Sequence, residues 1–215
     1  MAADATFESI APTPELSPVR RYVILSVIIL SVTLYSTSIL IVAAVLPQLQ
    51  GAMSATPDEI SWTMTFNILA TAVMTPLTGW LAARFGRRNL LGGSVAIMAV
   101  ATYFCGAATT LESLIFWRIV QGAAGASLPP IGQSVTLNIF PKHQHGMVIG
   151  MYGVGVVMGA FIGPMIGGVM AELYTWRYAF YMLAPIAVFA SIGVMIALPR
   201  THRTQETKLE WTGFL

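Results

Sequence analysis

Six runs of twenty or more mostly apolar residues, divided by short polar breaks, constrain this chain more than anything else in it. They are Tyr22–Leu46, Ser61–Ala83, Asn89–Thr109, Leu114–Phe140, Met147–Leu173 and Tyr178–Leu198. A helix rises about 1.5 Å per residue, so about 20 apolar residues cross a hydrocarbon core of about 30 Å. Each run passes that length. Strands are excluded, because an open strand leaves backbone groups unpaired in lipid and barrel strands alternate instead of running solidly apolar. The expected fold is all-α: a six-transmembrane-helix bundle over 22–198, after a tail over 1–21 and before a linker over 199–215. That linker ends in Trp211-Thr212-Gly213-Phe214-Leu215, which reads as the opening of a further apolar segment cut short.

Composition says which solvent the chain meets. Charged residues make up 9% against 56% hydrophobic, where a soluble domain carries about 25% charged residues. Most of the charges fall in the breaks, so the breaks are loops. Arg20 and Arg21 precede the first run, Arg84, Arg87 and Arg88 follow the second, Lys142 follows the fourth, and Arg200, Arg203 and Lys208 follow the sixth. Six alternating helices bring all of these to one side and leave Arg177, Asp58, Glu59, Glu112 and Glu172 on the other. By the positive-inside rule both ends are cytoplasmic. Residues 1–19 are polar and acidic, so no cleavable signal peptide is expected. The net charge of +2 argues neither for nor against nucleic acid, and no nucleic-acid partner is expected. Cys105 stands alone inside an apolar run, and His143 and His145 have no thiolate or carboxylate nearby, so neither a metal nor a cofactor is expected. No phosphate loop, nucleophile elbow or metalloprotease helix occurs, which leaves no basis for an enzyme.

Local signals mark helix starts. Thr56-Pro57-Asp58-Glu59 has the hydroxyl, proline and glutamate of a capping box before the second run, and Thr109 with Glu112 repeats the spacing before the fourth. Trp62, Trp80, Trp117, Tyr174 and Trp176 lie near run ends, as an interfacial aromatic belt requires.

Three features stand out, two inside the runs and one at the break after the second. Arg118 is the one basic residue within a run, and a charge there costs several kcal/mol unless it faces a bundle interior or a wet cavity. Gln121 lies one turn on, Gly122 follows, and the Pro129-Pro130 pair loosens the same helix. Snorkelling or a buried structural pair is the other account of Arg118. Gly155, Gly159, Gly163 and Gly167 recur every four residues, with Gly150 before, Gly168 after and Pro164 among them. Residues four apart share a face, so the stripe is a groove for another helix, and Pro164 removes a backbone hydrogen bond that otherwise stiffens the helix. Simple packing and a functional hinge both fit. Gly79 through Arg88 forms a tight turn with Arg84, Gly86, Arg87 and Arg88, either a plain anchor or a latch that caps neighbouring helices. Ser36, Thr37, Ser38, Asn67 and Gln133 are further candidates for a cavity wall, although serine and threonine often bond their own helix.

Together these motifs resemble the major facilitator superfamily. Gly79–Arg88 with Leu90 and Leu91 is similar to its loop between helices two and three. Leu114, Arg118, Gln121 and Gly122 resemble its fourth-helix motif, whose arginine is associated with proton coupling. Gly150 with Gly159, Gly163, Pro164, Gly167 and Gly168 resembles the fifth-helix motif of its antiporters. Trp176–Tyr181, Pro185 and Glu210–Leu215 resemble the drug:proton antiporter branch with fourteen helices. Two positions depart from the pattern. Ala83 stands where members usually place an aspartate, and Ser38 where the branch commonly has an acid late in helix one.

The resemblance implies the N-terminal half of a transporter: two inverted three-helix repeats, facing a C-terminal half across a midplane cavity, in alternating access. It implies proton-coupled efflux of drugs or other lipophilic compounds from a bacterial inner membrane, with lipid, protons and the missing half as partners. In Gram-negative cells a periplasmic adaptor and an outer-membrane channel join them. A nutrient-uptake permease and a non-transporting membrane scaffold are the competing expectations.

Overall fold

The computed structural model describes residues 17–199; the expected tail up to residue 16 and the segment 200–215, Trp211–Leu215 included, lie outside the described residues. The described residues form eight α-helices: α1 (Pro18–Met53), α2 (Pro57–Met74), α3 (Thr78–Phe85), α4 (Arg87–Ala107), α5 (Leu111–Gly125), α6 (Leu128–Ile139), α7 (His145–Leu173) and α8 (Trp176–Ala197). They make six spans, because α2 and α3 are one run joined by a 3-10 turn at Thr75–Leu77, and α5 and α6 are another.

Both interruptions have a covalent cause. Pro76 lacks the N–H that Ala72 would bond, and the backbone tightens there into the 3-10 turn. Pro129 and Pro130 likewise cannot bond the carbonyls of Gly125 and Ala126, and the fourth run, expected as one helix over Leu114–Phe140, is two helices separated at Ala126 and Ser127. The Ser127 hydroxyl donates to Ser94 Oγ at 2.8 Å, and the Tyr152 hydroxyl donates to the Pro129 carbonyl at 2.9 Å, so buried side chains hold the break in place.

Other boundaries also shift. The first helix does not end near Leu46; it continues through Pro47 to Met53 and stops at Ser54, whose φ of 51° turns the chain left-handed. Thr56 makes the capping box with Glu59 as expected. At the fourth run the cap is Thr110, not Thr109, and its hydroxyl accepts from the Ser113 N–H at 3.3 Å, so Glu112 takes no part in a box. Trp62 and Tyr174 are exposed near span ends, whereas Trp176 is buried edge-on against Phe180 and is a core residue, not part of the belt.

The helices are sorted into pairs. α1 packs most extensively on α7, α4 on α8, and α2 on α5. A core of Ile, Val, Leu and Ala from α1, α4 and α8 fills the centre, while the outward faces of α7 and α8 carry Phe161, Met165, Phe189 and Ile196 at more than 70% exposure. Such faces are stable in lipid and unstable in water.

Candidate functional site

Arg118 lies on the buried face of α5, which also carries Leu114, Gln121, Gly122 and Gly125 at helical spacing. With α5 starting at Leu111, the Arg118 backbone lies about 10 Å along the axis, well inside the span. Its exposure is 0%. Nη1 donates to the Ser38 carbonyl on α1 at 2.8 Å and to Gln121 Oε1. Gln121 Nε2 then donates to Thr102 Oγ1 on α4 at 2.6 Å, and Thr102 donates to the Met98 carbonyl at 2.7 Å. From α2, Asn67 Nδ2 donates to the backbone carbonyl of Arg118 at 2.8 Å. One arginine and its neighbours thus tie α1, α2, α4 and α5 together, with the Phe180 ring of α8 5.7 Å from the guanidinium carbon.

Every acceptor on this guanidinium is neutral. Nε and Nη2 of Arg118 and Oδ1 of Asn67 are buried without a hydrogen-bond partner among the described residues. Leaving such groups unpaired is costly, so a site that keeps them is under pressure to find partners in another state.

Close backbone approach seals the site. A Cβ on Gly122 would collide with the Asn67 carbonyl oxygen, and one on Gly125 would enter the Tyr35 ring. Thr71 donates to the carbonyls of Asn67 at 3.0 Å and Gly122 at 3.1 Å, and the Tyr35 hydroxyl donates to Thr71 at 3.2 Å. Gln133 stands apart: it is exposed on α6 and makes no side-chain hydrogen bond to this network among the described residues. Thr37 and Ser38 are buried and bond helix carbonyls, which gives them a packing role within this bundle.

The glycine stripe of α7 faces α1. A Cβ on Gly159 would strike the Thr33 carbonyl oxygen, on Gly163 it would come within 2.8 Å of the Thr37 oxygen, and on Gly167 within 2.9 Å of the Ile41 oxygen. Thr33 and Thr37 donate to the carbonyls of Gly155 and Gly159 at 2.8 and 3.1 Å. Gly150 and Gly168 touch nothing that a Cβ would meet, and Pro164 is exposed on the far side. The stripe therefore packs two helices backbone to backbone, and those three residues lie outside it.

In the turn after the second run, Gly86 alone separates α3 from α4, at φ 82° and ψ 144°, a conformation open to glycine and little else. Arg84 is exposed over the Trp80 ring, Arg88 donates to the Met195 carbonyl in the last turn of α8, Arg87 is half-buried, and Gly79 borders open space. At the opposite end Arg177 donates to the carbonyls of Gly106 and Ala108 at 2.8 and 2.6 Å, where α4 ends. Sequence reasoning counted Arg177 only as a charge on one side. Its position beside Trp176 in the first turn of α8 was the available signal.

A family model described as the Major Facilitator Superfamily matches residues 27–214. The chain belongs to the major facilitator superfamily. Its members are transporters and not enzymes, and this one is a multi-pass membrane protein. The chain is 32% identical over 165 residues to the "Multidrug export protein EmrB" of Escherichia coli K12, covering 77% of this chain and 31% of that protein. It is 29% identical over 175 residues to the "Putative multidrug resistance protein MdtD" of Klebsiella pneumoniae, covering 81% and 37%. The chain thus spans about a third of the length of the curated relatives it matches. Its fold is similar to that of a bacterial homolog of the human lysosomal transporter Spinster, solved inward-facing and unoccupied, with a TM-score of 0.74 at 20% identity over 91% of this chain and 47% of that one. In this superfamily chain, then, the fourth-run arginine is an internal tie and not a surface group.

Proposed function

We propose that the chain is the N-terminal six-helix bundle of a proton-coupled exporter of lipophilic compounds, working by alternating access with a second bundle. The observation that carries this reading is the Arg118 network: a fully buried cation in the fourth span that joins α1, α2, α4 and α5 through backbone carbonyls and two side-chain amides. The names of the relatives, a multidrug export protein and a putative multidrug resistance protein, support export as the direction of transport. The fifth-span glycines support it as well, because a smooth backbone contact lets α1 and α7 move as one body.

In this reading Arg118 is a positioning residue. It holds four helices in register while the bundle rocks, and its two unpartnered nitrogens, Nε and Nη2, are the ones free to take a new acceptor in another state. The acids among the described residues, Asp58, Glu59, Glu112 and Glu172, all lie in terminal turns of their helices. The carboxylate that titrates during the cycle is therefore supplied from elsewhere in the full-length protein. Both ends of the bundle face the cytoplasm, by the arginine and lysine count. A periplasmic adaptor and an outer-membrane channel are the partners this reading adds, and co-purification with the full-length protein tests them.

The deciding experiment places the full-length protein in proteoliposomes with an imposed pH gradient and follows a lipophilic fluorescent compound. Gradient-driven flux should appear in the parent and be lost in Arg118→Ala, with the variant still inserted and folded. Normal flux in Arg118→Ala removes the role assigned to the network, and uptake in place of export removes the direction.

A further inference from the structure

α4 and α8 touch near both ends and part between them. Near one end a Cβ on Gly106 would come within 2.9 Å of the Tyr181 ring, and near the other the Ser191 hydroxyl donates to the Gly92 carbonyl at 2.9 Å. Between these contacts lies a groove of about 760 Å³, within the range of about 300–1,000 Å³ usual for small-molecule sites. Ala99 and Ala184 are its buried floor, and Tyr103, Phe104, Tyr181 and Val188 its partly exposed walls. Tyr181 to Val188 is two turns of α8, so the groove runs about 10 Å along the helix. An unfilled trough forfeits the dispersion contacts of its walls, and in a bilayer an acyl chain is the filler at hand.

One end of the groove is polar. Arg177 stands one turn before Tyr181 on α8, on the same face, with its guanidinium 4.4 Å from the centre of the Trp176 ring. Nη1 makes both bonds to the carbonyls of Gly106 and Ala108, and Nε and Nη2 of this half-buried residue have no hydrogen-bond partner among the described residues. Glu112 and Glu172 lie at the same end of the bundle but form no ion pair with Arg177 among the described residues. Rings of Tyr174, Tyr178, Tyr181 and Tyr103 follow one another at 5.5, 6.3 and 5.3 Å, from the start of α8 into the groove. Tyrosines of this kind sit at headgroup depth, and a guanidinium fork matches a phosphate.

We infer that the α4–α8 groove holds one anionic phospholipid, with an acyl chain on the Ala99 and Ala184 floor and the phosphate on Nε and Nη2 of Arg177. The site lies in the leaflet opposite the Gly86 turn and does not depend on the direction of transport.

The test titrates the full-length protein in detergent with phosphatidylglycerol or phosphatidylcholine of identical chains and counts retained lipid by native mass spectrometry. One phosphatidylglycerol should bind saturably, about fivefold more tightly than phosphatidylcholine. Arg177→Gln should bring that ratio toward one and Arg177→Lys should keep part of the preference, with monodisperse elution as the check of folding. Ala184→Phe fills the floor without touching the cation and should weaken retention of both lipids, which keeps the inference falsifiable if Arg177→Gln does not fold. Glycerophosphate, the headgroup without chains, should fail to displace the lipid at millimolar concentration. In membranes, a benzophenone side chain placed at Val100 on the groove's rim should cross-link to phospholipid. Equal affinity for the two lipids in the parent overturns the inference, as does undiminished retention in a folded Ala184→Phe protein. Displacement by glycerophosphate, which marks an anion site only, overturns it too, and so does cross-linking of Val100 to another segment of the protein or to a second copy.

Discussion

Arg118 donates a 2.8 Å hydrogen bond to the carbonyl oxygen of Ser38, the position at which the resemblance led an acid to be expected. No carboxylate meets the guanidinium there; a backbone dipole and Gln121 make the contact. An acceptor of this kind orients a guanidinium without neutralising it. This is why the network reads as a brace with a residual charge and not as a closed ion pair.

The α1–α7 contact should be intolerant of any side chain on the inner glycines. Gly159→Ala and Gly163→Leu push a carbon into the Thr33 and Thr37 carbonyls and should cost about 1–3 kcal/mol each, Gly163→Leu the more. Gly150→Ala and Gly168→Ala meet open space and should be neutral or slightly stabilising. Thermal unfolding of the purified protein in detergent reads all four; equal losses at the inner and outer positions would remove the packing account.

Gly86 and Gly79 separate conformational need from mere occurrence in a motif. Gly86→Ala must adopt a φ near 82° and should lose about 1–3 kcal/mol of stability. Gly79→Ala, in a helix with nothing near it, should be harmless to stability. Folded yield after membrane extraction is the measurement, and a stable Gly86→Ala protein would contradict the geometry of the turn.

The α4–α8 pair is clipped at both ends, by Arg88 on the Met195 carbonyl and by Arg177 on the carbonyls of Gly106 and Ala108. Arg177→Ala should cost about 1.5–3 kcal/mol, as expected for charged hydrogen bonds. Arg177→Lys should recover only part of it, since a point charge replaces the planar fork. Hydrogen exchange at the last turn of α4 should quicken in Arg177→Ala; unchanged protection there would show the clip to be idle.

Glu59 closes the capping box at the start of α2, and hydrogen bonds from the Thr56 N–H and hydroxyl hold its carboxyl below the usual glutamate range. A lowered folded-state value means the cap contributes fully above the ordinary glutamate pKa and fades as pH falls through the folded one. The first turn of α2 should therefore fray only in acid. A carboxyl titration of Glu59 followed by NMR should move up toward the ordinary value in Thr56→Ala, and no movement would discard the assignment.

Much of this protein was settled by the sequence alone, because lipid as solvent acts residue by residue. The six runs, the all-α class, the Thr56 cap and the placing of Arg118 inside a span all follow from length, hydropathy and local chemistry, which need no knowledge of neighbours. The proline pair at 129 and 130 marked a weak point in the fourth span for the same reason, although not that the helix parts there. What a helix face touches depends on the rotation and pairing of whole helices, and only tertiary structure decided that. Gly155 to Gly167 looked equally fit for a hinge or a packing groove until α1 was found pressed against them. Gln133 and Gln121 are alike in sequence character, yet one is exposed and the other sits at 0% exposure in the Arg118 network. Arg177 became a clip only because α8 begins beside the end of α4. A span is fixed by its own composition, whereas a contact is fixed by two spans at once.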